Sequence, residues 1–137
     1  MELTSLFDIY KTAVFDKDVD AYMSVFDDHL RVFDMWGLWS FDTLADWRTM
    51  TEGWFSSLKE ERVVVTFSDI QVQENDAIGT ATAFVRFAAI SAQGEELRYL
   101  QNRLTWVALK KGGRWKIIHQ HTSSPIDHGT MKAMLRR

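Results

Sequence analysis

The chain has 137 residues, a formal net charge of −3, no cysteine and a hydrophobic content of 46%. A single domain of this size buries roughly two thirds of the surface of its unfolded chain, so the composition argues against intrinsic disorder. The absence of thiols excludes disulfides and thiolate metal sites or nucleophiles, and the scattered Lys and Arg residues give no footprint for nucleic acid.

Three helices are predicted in the first half of the chain. The opening residues, MELTSLFDIYK, mix charges into a short apolar pattern unlike a signal peptide, and apolar side chains recur at helical spacing over residues 3–15. Asp18 is suited to cap a second helix, which we expect to end near residues 27–29. LRVFDMW is expected to form a short strand or extended arm, and a broad apolar face predicts a third helix over residues 42–58.

Long strands are predicted in the second half. Stretches rich in Val, Ile, Thr and aromatic residues cover residues 63–73, 77–92 and 96–110, with turn sequences between them, and residues 115–122 form the last strand. Strands of this length twist and curl. We therefore predict one α+β domain, in which three N-terminal helices pack on a long, strongly curved antiparallel sheet and enclose a hollow. No apolar run in the sequence reaches membrane-spanning length, and we expect a cytoplasmic protein with no membrane partner.

Two histidines lie two residues apart in the closing sequence GGRWKIIHQHTSSP. If its GG is a two-residue hairpin loop, Trp106 lies opposite His119 and Leu104 lies opposite His121. Both imidazoles would then share a face with Asn102, which is the more apolar face and the one expected to meet the helices. This register predicts a polar pocket furnished by the two histidines.

Two other interpretations of the histidine pair stay open. Each could be an ordinary half-buried residue that donates to a backbone carbonyl. A metal site with Asp34 as a third ligand is less favoured, because nothing in the sequence fixes its geometry, and we predict no metal.

The layout of the whole chain resembles a known family. The stretch RLTWVALKKGGRWKIIHQHTSSPID resembles the closing motif G-x-W-x-I-x-H-x-H, followed by Ser and Pro, of the SnoaL-like members of the NTF2-like superfamily. The resemblance extends from about Leu3 to Asp127. It implies a cone-shaped α+β barrel related to ketosteroid isomerase.

The resemblance also implies roles for individual residues. Tyr10, in YKTAVFDKDVD, resembles the catalytic tyrosine that stabilises the oxyanion, and Asp34, in FDDHLRVFDMW, resembles the general base. The acid that shares the oxyanion with the tyrosine should fall near residues 104–106, where this chain has none, and Met35 replaces the proline that follows the base. His121 is the substitute that we expect for the missing acid.

The function implied is the binding of a small, largely apolar carbonyl compound. A desolvated Asp34 would abstract a proton in isomerase-, cyclase- or dehydratase-type chemistry that requires no cofactor. The residues predicted to contact the ligand are Trp36, Trp54, Asn102, Trp106 and His119. A non-catalytic binding module stays open as an alternative, as does a structural module. A homodimer through the outer face of the sheet is expected in either case.

Overall fold

Eight helices and strands follow one another along residues 2–137, the residues that the computed structural model describes. The helices are α1 (Ser5–Asp16), α2 (Val19–Met23) and α3 (Leu44–Leu58). The strands are β1 (Phe26–Phe33), β2 (Arg62–Glu74), β3 (Ile78–Ile90), β4 (Glu96–Lys111) and β5 (Arg114–Ser123). The α+β class predicted from the sequence is confirmed. No helix among the described residues is long and apolar enough to cross a membrane.

The strands form one sheet in the order β1–β5–β4–β3–β2, in which β1 runs parallel to β5 and the other pairs are antiparallel. Asp18 caps α2 as predicted, since its carboxylate accepts from the N–H of Ala21 at 3.0 Å. The predicted end of this helix is wrong, because α2 stops at Met23. The chain then turns extended, and the carbonyl of Val25 accepts from the N–H of Ile117 at 2.8 Å. Pairing with β5 thus replaces the hydrogen bonds that a longer helix would make.

The core lies between α1 and the concave face of the sheet. The ring of Phe7 stacks on that of Trp106 at 4.4 Å between centroids and meets Phe67 edge-on at 4.7 Å. Such offset and edge-on pairs add to the stabilisation gained by burying the rings. The side chain of Trp106 is fully buried and packs the concave face of the sheet against α1 through Phe7.

The hairpin between β4 and β5 has the predicted two-residue loop. Gly112 and Gly113 both have positive φ, at 56° and 76°, which is the requirement of a type I′ turn and is easily met only by glycine or a small polar residue. Lys111 pairs with Arg114 across the loop. The register at the turn is therefore the predicted one.

A bulge changes the register further along the hairpin. Ala108 pairs with Ile117, but the next residue back along β4, Val107, pairs with His119. Ile118 is the extra residue of this bulge, and an extra residue moves every following side chain to the opposite face of the sheet. Beyond the bulge the predicted pairing of the histidines is wrong.

One ion pair ties the hairpin to β1 and gives the stability of the fold a pH dependence. Burial alone would raise the pKa of Asp27, but Nζ of Lys111, 2.7 Å from the carboxylate, holds that pKa below its ordinary value. A carboxyl whose pKa is lowered by folding stabilises the fold above its unfolded-state pKa, and this stabilisation disappears as the pH falls through the folded-state pKa.

We therefore expect Lys111→Met to lower the free energy of unfolding by about 1–2 kcal/mol at pH 6, because it leaves a buried carboxylate without its counter-charge while the lysine itself is half exposed. The difference from the wild type should shrink as the pH falls through 3.8, the ordinary pKa of the group, because the carboxyl becomes protonated above this pH in the variant and below it in the wild type. Urea unfolding across this range measures it, and Lys11→Met, at an exposed site on α1, serves as the control. A loss that is the same at every pH would contradict this role for the pair.

Candidate functional site

A cavity of about 490 Å³ lies between the helices and the concave face of the sheet. Most of its wall is apolar or aromatic, with Met50 and Leu58 from α3 and Val63 and Phe87 from the sheet. The polar wall includes Tyr10, Tyr22, Asp34, Asn102, Gln120 and Thr122. A largely apolar hollow with a few convergent polar groups is the usual form of a small-molecule site.

Asp34 follows β1 and presents its carboxylate to the cavity. Its Oδ1 accepts from the hydroxyl of Thr122 at 3.0 Å, and its Oδ2 accepts from the backbone N–H of Trp36 at 3.3 Å. Thr122 is held in turn by the backbone N–H of Met35, which donates to its Oγ1 at 3.0 Å. Burial raises the pKa of Asp34, although the hydrogen bonds from Thr122 and Trp36 act in the opposite direction. The carboxyl is thus oriented by donors and is also a stronger base than an aspartate in water.

Tyr10 of α1 and Tyr22 of α2 form a pair of buried phenols on the same wall. Their ring centroids are 5.0 Å apart, and burial raises the pKa of both groups. The two side chains are also joined by a hydrogen bond. Because burial keeps both phenols protonated, both can donate hydrogen bonds at physiological pH.

Gln120 joins this pair to the core. Its Oε1 accepts from the indole N–H of Trp106 at 2.9 Å, and its side chain hydrogen-bonds to Tyr22, which lowers the pKa of that phenol without overcoming burial. Gln120 is almost fully buried. It faces inward only because of the bulge at Ile118, since β5 would otherwise turn this residue to the outer face.

The two histidines do not line the cavity, which corrects the prediction. His119 and His121 lie on the outer face of the sheet, around the ring of Phe33 with centroids 4.9 and 5.5 Å away. His119 Nδ1 is 2.8 Å from the carbonyl oxygen of Arg31, and a carbonyl only accepts, so Nδ1 carries the proton. The alternative interpretation, an ordinary half-buried histidine that donates to a backbone carbonyl, therefore describes His119. The role of donor to an oxyanion in the cavity, predicted for His121, is excluded by its position.

The alternative of a metal site built on both histidines and Asp34 is not supported either. The imidazoles and the carboxylate lie on opposite faces of the sheet. Within residues 2–137 no three His, Asp or Glu side chains are grouped closely enough to hold an ion. The bulge separates the three groups that the sequence register would have brought together.

Of the other residues predicted to contact the ligand, some line the cavity and one is buried behind its wall. Trp54 and Asn102 line the cavity, as do Tyr10 and Asp34, and Trp36 stands half exposed at its wall. Trp106 is not part of the wall, because Phe7 covers its ring, so its predicted contact with a ligand is wrong. The contacts and roles of the wall residues stay predictions.

Two buried polar atoms on the cavity wall have no hydrogen-bond partner within the described part of the chain. One is the carbonyl oxygen Oδ1 of Asn102, whose Nδ2 donates to Met35 Sδ at 3.2 Å. The other is the indole N–H of Trp47, a residue that packs edge-on against Phe41 with ring centroids 5.1 Å apart. Buried polar groups in proteins are nearly always paired, so each of these atoms calls for an explanation.

Sequence reasoning missed Gln120, Thr122 and Tyr22. In the register predicted without a bulge, Gln120 and Thr122 alternate with the histidines and fall on the outer face, and the sequence contains no signal for the bulge. A signal for Tyr22 was present, since it lies on the apolar side of the predicted second helix together with Met23. Tyr22 lies one turn after the helix cap and faces the same core as Tyr10, and this position would have been sufficient to propose it as a site residue.

The model of the SnoaL-like domain matches residues 3–127 of the sequence. The chain belongs to the SnoaL-like family. No curated protein is similar enough in sequence to count as a relative. The membership accounts for the packing of the SnoaL-like chain's helices on a curved five-stranded sheet.

Solved structures share the fold at low sequence identity. An NTF2-like protein of unknown function from Pseudomonas putida has a TM-score of 0.85 at 22% identity, over 97% of this chain and 91% of that one. A protein of unknown function with a cystatin-like fold from Nostoc punctiforme has a TM-score of 0.70 at 15% identity, covering 88% and 86% of the two chains. A putative aromatic ring hydroxylase from Novosphingobium aromaticivorans has a TM-score of 0.68 at 16% identity, over 88% and 84%. At these identities the likeness shows that this SnoaL-like chain has the NTF2-like, cystatin-like fold.

Proposed function

We propose that the cavity binds a small, largely apolar carbonyl compound and that Asp34 acts there as the base in a proton transfer. The observation that carries the proposal is the placement of one oriented carboxylate beside two buried phenols in a largely apolar hollow. A non-catalytic binding role remains the alternative, and it would use the same cavity without the base.

The environment of Asp34 suits the removal of a proton from a carbon next to a carbonyl. Burial raises its pKa, and a base is most effective when its pKa approaches the working pH. The hydrogen bonds from Thr122 and Trp36 act against this rise and orient the carboxylate.

The enolate that forms needs a hydrogen-bond donor, and Tyr10 is suited to this role. Tyr10 lies on the cavity wall, and burial keeps its hydroxyl protonated, so it can donate to a ligand oxygen. In an apolar cavity such a donor stabilises developing negative charge much more than it would in water. Tyr22 hydrogen-bonds to both Tyr10 and Gln120, and these contacts hold Tyr10 in place.

The test uses 2-tetralone, an apolar bicyclic ketone whose C1 hydrogens are acidified by both the carbonyl and the aromatic ring. We expect the protein to bind it and to accelerate deuterium exchange at C1 in D₂O, followed by NMR. The rate should rise with pH and level off above the raised pKa of Asp34, so its inflection lies above 3.8, the ordinary value of the group. Binding without accelerated exchange would favour the non-catalytic alternative, and no binding would remove the proposal.

We propose in addition that two copies of the chain associate through the outer face of the sheet. This face exposes Thr82 and Thr105 on neighbouring strands, beside the half-buried Val107 and Phe33. Thr105→Arg places a charge there and should convert a dimer to a monomer in size-exclusion chromatography with light scattering. Thr130→Arg, at an exposed site after β5, is the control. A monomeric wild type, or a Thr105→Arg dimer, would contradict this interface.

A further inference from the structure

The unpaired carbonyl oxygen of Asn102 is the feature of the cavity that the proposed proton transfer does not use. The side chain is 8% exposed and lies on the cavity wall. Its orientation is fixed by Met35, because a thioether sulfur accepts hydrogen bonds and cannot donate them. Nδ2 therefore points to Met35 Sδ, 3.2 Å away, and Oδ1 is left without a donor among residues 2–137.

This oxygen lies at the same end of the cavity as the carboxylate of Asp34. Met35 connects the two groups: its sulfur holds Asn102, and its backbone N–H holds Thr122, which donates to Asp34. The register of the sheet agrees, because Thr122 pairs with Leu104, and Asn102 lies two residues before Leu104 on the same face of β4. A ligand in reach of the base is thus also close to the acceptor.

The chemistry around Oδ1 selects among possible donors. A ligand carboxylate or phosphate would set further acceptors against Oδ1 and Asp34. An ammonium group would have to give up its hydration in a cavity whose wall is mostly apolar, which is costly for a charged group. A neutral hydroxyl supplies the missing donor at the lowest cost of desolvation.

We infer that the ligand carries, besides its carbonyl, a neutral hydroxyl group whose hydrogen bond is accepted by Asn102 Oδ1. The inference rests on the proposed function, because it takes an apolar carbonyl compound in the cavity as given. It narrows the ligand class to hydroxylated apolar ketones or related carbonyl compounds. A site with a buried acceptor discriminates mainly by rejecting ligands without the donor, since these leave the acceptor buried and unpaired.

The second unpaired atom, the indole N–H of Trp47, does not support a similar inference about the ligand. Trp47 lies among aromatic rings, edge-on to both Phe41 and Phe26, and has no polar neighbour of known role that would fix the chemistry of a ligand group. Asn102 is therefore the position on which the inference depends.

The test compares matched ligands on the full-length wild-type protein by isothermal titration calorimetry. The ligands are 2-tetralone and its 5-, 6- and 7-hydroxy derivatives, each hydroxy compound paired with the methoxy ketone that fills similar space without a donor. We expect at least one hydroxy isomer to bind roughly tenfold tighter than both its methoxy partner and 2-tetralone, the gain typical of one satisfied buried hydrogen bond. Equal or weaker binding of all three hydroxy isomers would overturn the hydroxyl subsite while leaving the proposed function intact. If no ketone binds, the proposed function and the subsite both fail.

Two variants assign the preference to Asn102. Asn102→Leu keeps a side chain of similar size without an acceptor, and it should bind the preferred hydroxy ketone and 2-tetralone with equal affinity. Asn102→Asp keeps an acceptor oxygen and should retain the preference. Thermal unfolding followed by circular dichroism shows whether each variant is folded, and the wild-type comparison stands without them. A preference that persists in Asn102→Leu would mean that Asp34 accepts the hydroxyl, and it would overturn the role inferred for Asn102.

Discussion

Replacing Asp34 with Asn is expected to lower the rate of deuterium exchange at C1 of 2-tetralone by roughly 10²–10⁴-fold, the usual contribution of a positioned general base. The amide has nearly the shape of the carboxylate and can still accept from either Thr122 or the Trp36 N–H, but it cannot take up a proton. Affinity for the ketone should change little, since an apolar ligand gains nothing from the charge. A loss of exchange with binding retained separates the base from a residue that only shapes the cavity.

The hydroxyl of Thr122 provides a second measure of the same assignment. It lowers the pKa of Asp34 by donating to the carboxylate at 3.0 Å. In Thr122→Val this donor is lost, so the pKa of Asp34 should rise further and the inflection of the exchange rate should move to higher pH. If Thr122 had a purely structural role, its replacement would change the maximal exchange rate but not the pH at the inflection of the rate profile.

Stability gives an independent control on Asp34→Asn. Because folding raises the pKa of Asp34, the ionised carboxylate lowers the stability of the fold once the pH exceeds 3.8, and this cost is complete above the folded-state pKa. The variant should therefore be more stable relative to the wild type at pH 7 than at pH 3. Asp28→Asn, which removes an exposed carboxylate of β1, should alter neither exchange nor this difference. Unchanged exchange in Asp34→Asn would leave only the binding role.

The strands and the turn of the fold could be predicted because their signals are local. Runs of β-branched and aromatic residues predicted β2 to β5 with small errors at their ends, and GG at residues 112–113 predicted the hairpin loop correctly. The end of α2 could not be predicted in this way. Residues 24–29 are compatible with a helix by themselves, and their conformation is decided by pairing with β5, which lies about 90 residues further along the chain.

The sequence predicted those residues of the candidate site whose position does not depend on how β4 and β5 are paired. Tyr10 and Asp34 follow from the resemblance of their own short segments. The inward or outward direction of His119, Gln120 and His121 depends on a single extra residue, Ile118, in a run of β-formers that would fit a regular strand equally well. Because the side-chain period of a strand is two, this one bulge exchanged the polar residues that β5 directs into the cavity.

Trp106→Ala is expected to lower the free energy of unfolding by about 3–5 kcal/mol, with no specific loss of ligand affinity in the folded fraction. The indole is fully buried, stacks on Phe7 and donates to Gln120 at 2.9 Å. Its removal leaves a cavity in the core and a buried amide oxygen without its donor, which adds to the cost. Because small domains are stable by only about 5–15 kcal/mol, this variant should unfold at a much lower urea concentration than the wild type.

Trp54→Ala should have the opposite effects, a marked loss of ligand affinity and a smaller loss of stability. Trp54 is only partly buried and lines the cavity, so its loss should weaken binding of 2-tetralone and cost less stability than the loss of Trp106. Trp106→Phe keeps a ring on Phe7 but has no N–H, and we expect it to fold with a loss of about 1–3 kcal/mol, which keeps the comparison open if the alanine variant is too unstable to measure. Urea unfolding measures the stability of the three variants, and calorimetry measures their affinity for 2-tetralone. If Trp106→Phe instead weakened binding as much as Trp54→Ala does, with stability unchanged, Trp106 would belong to the ligand site, as the uninterrupted register of the sequence predicted.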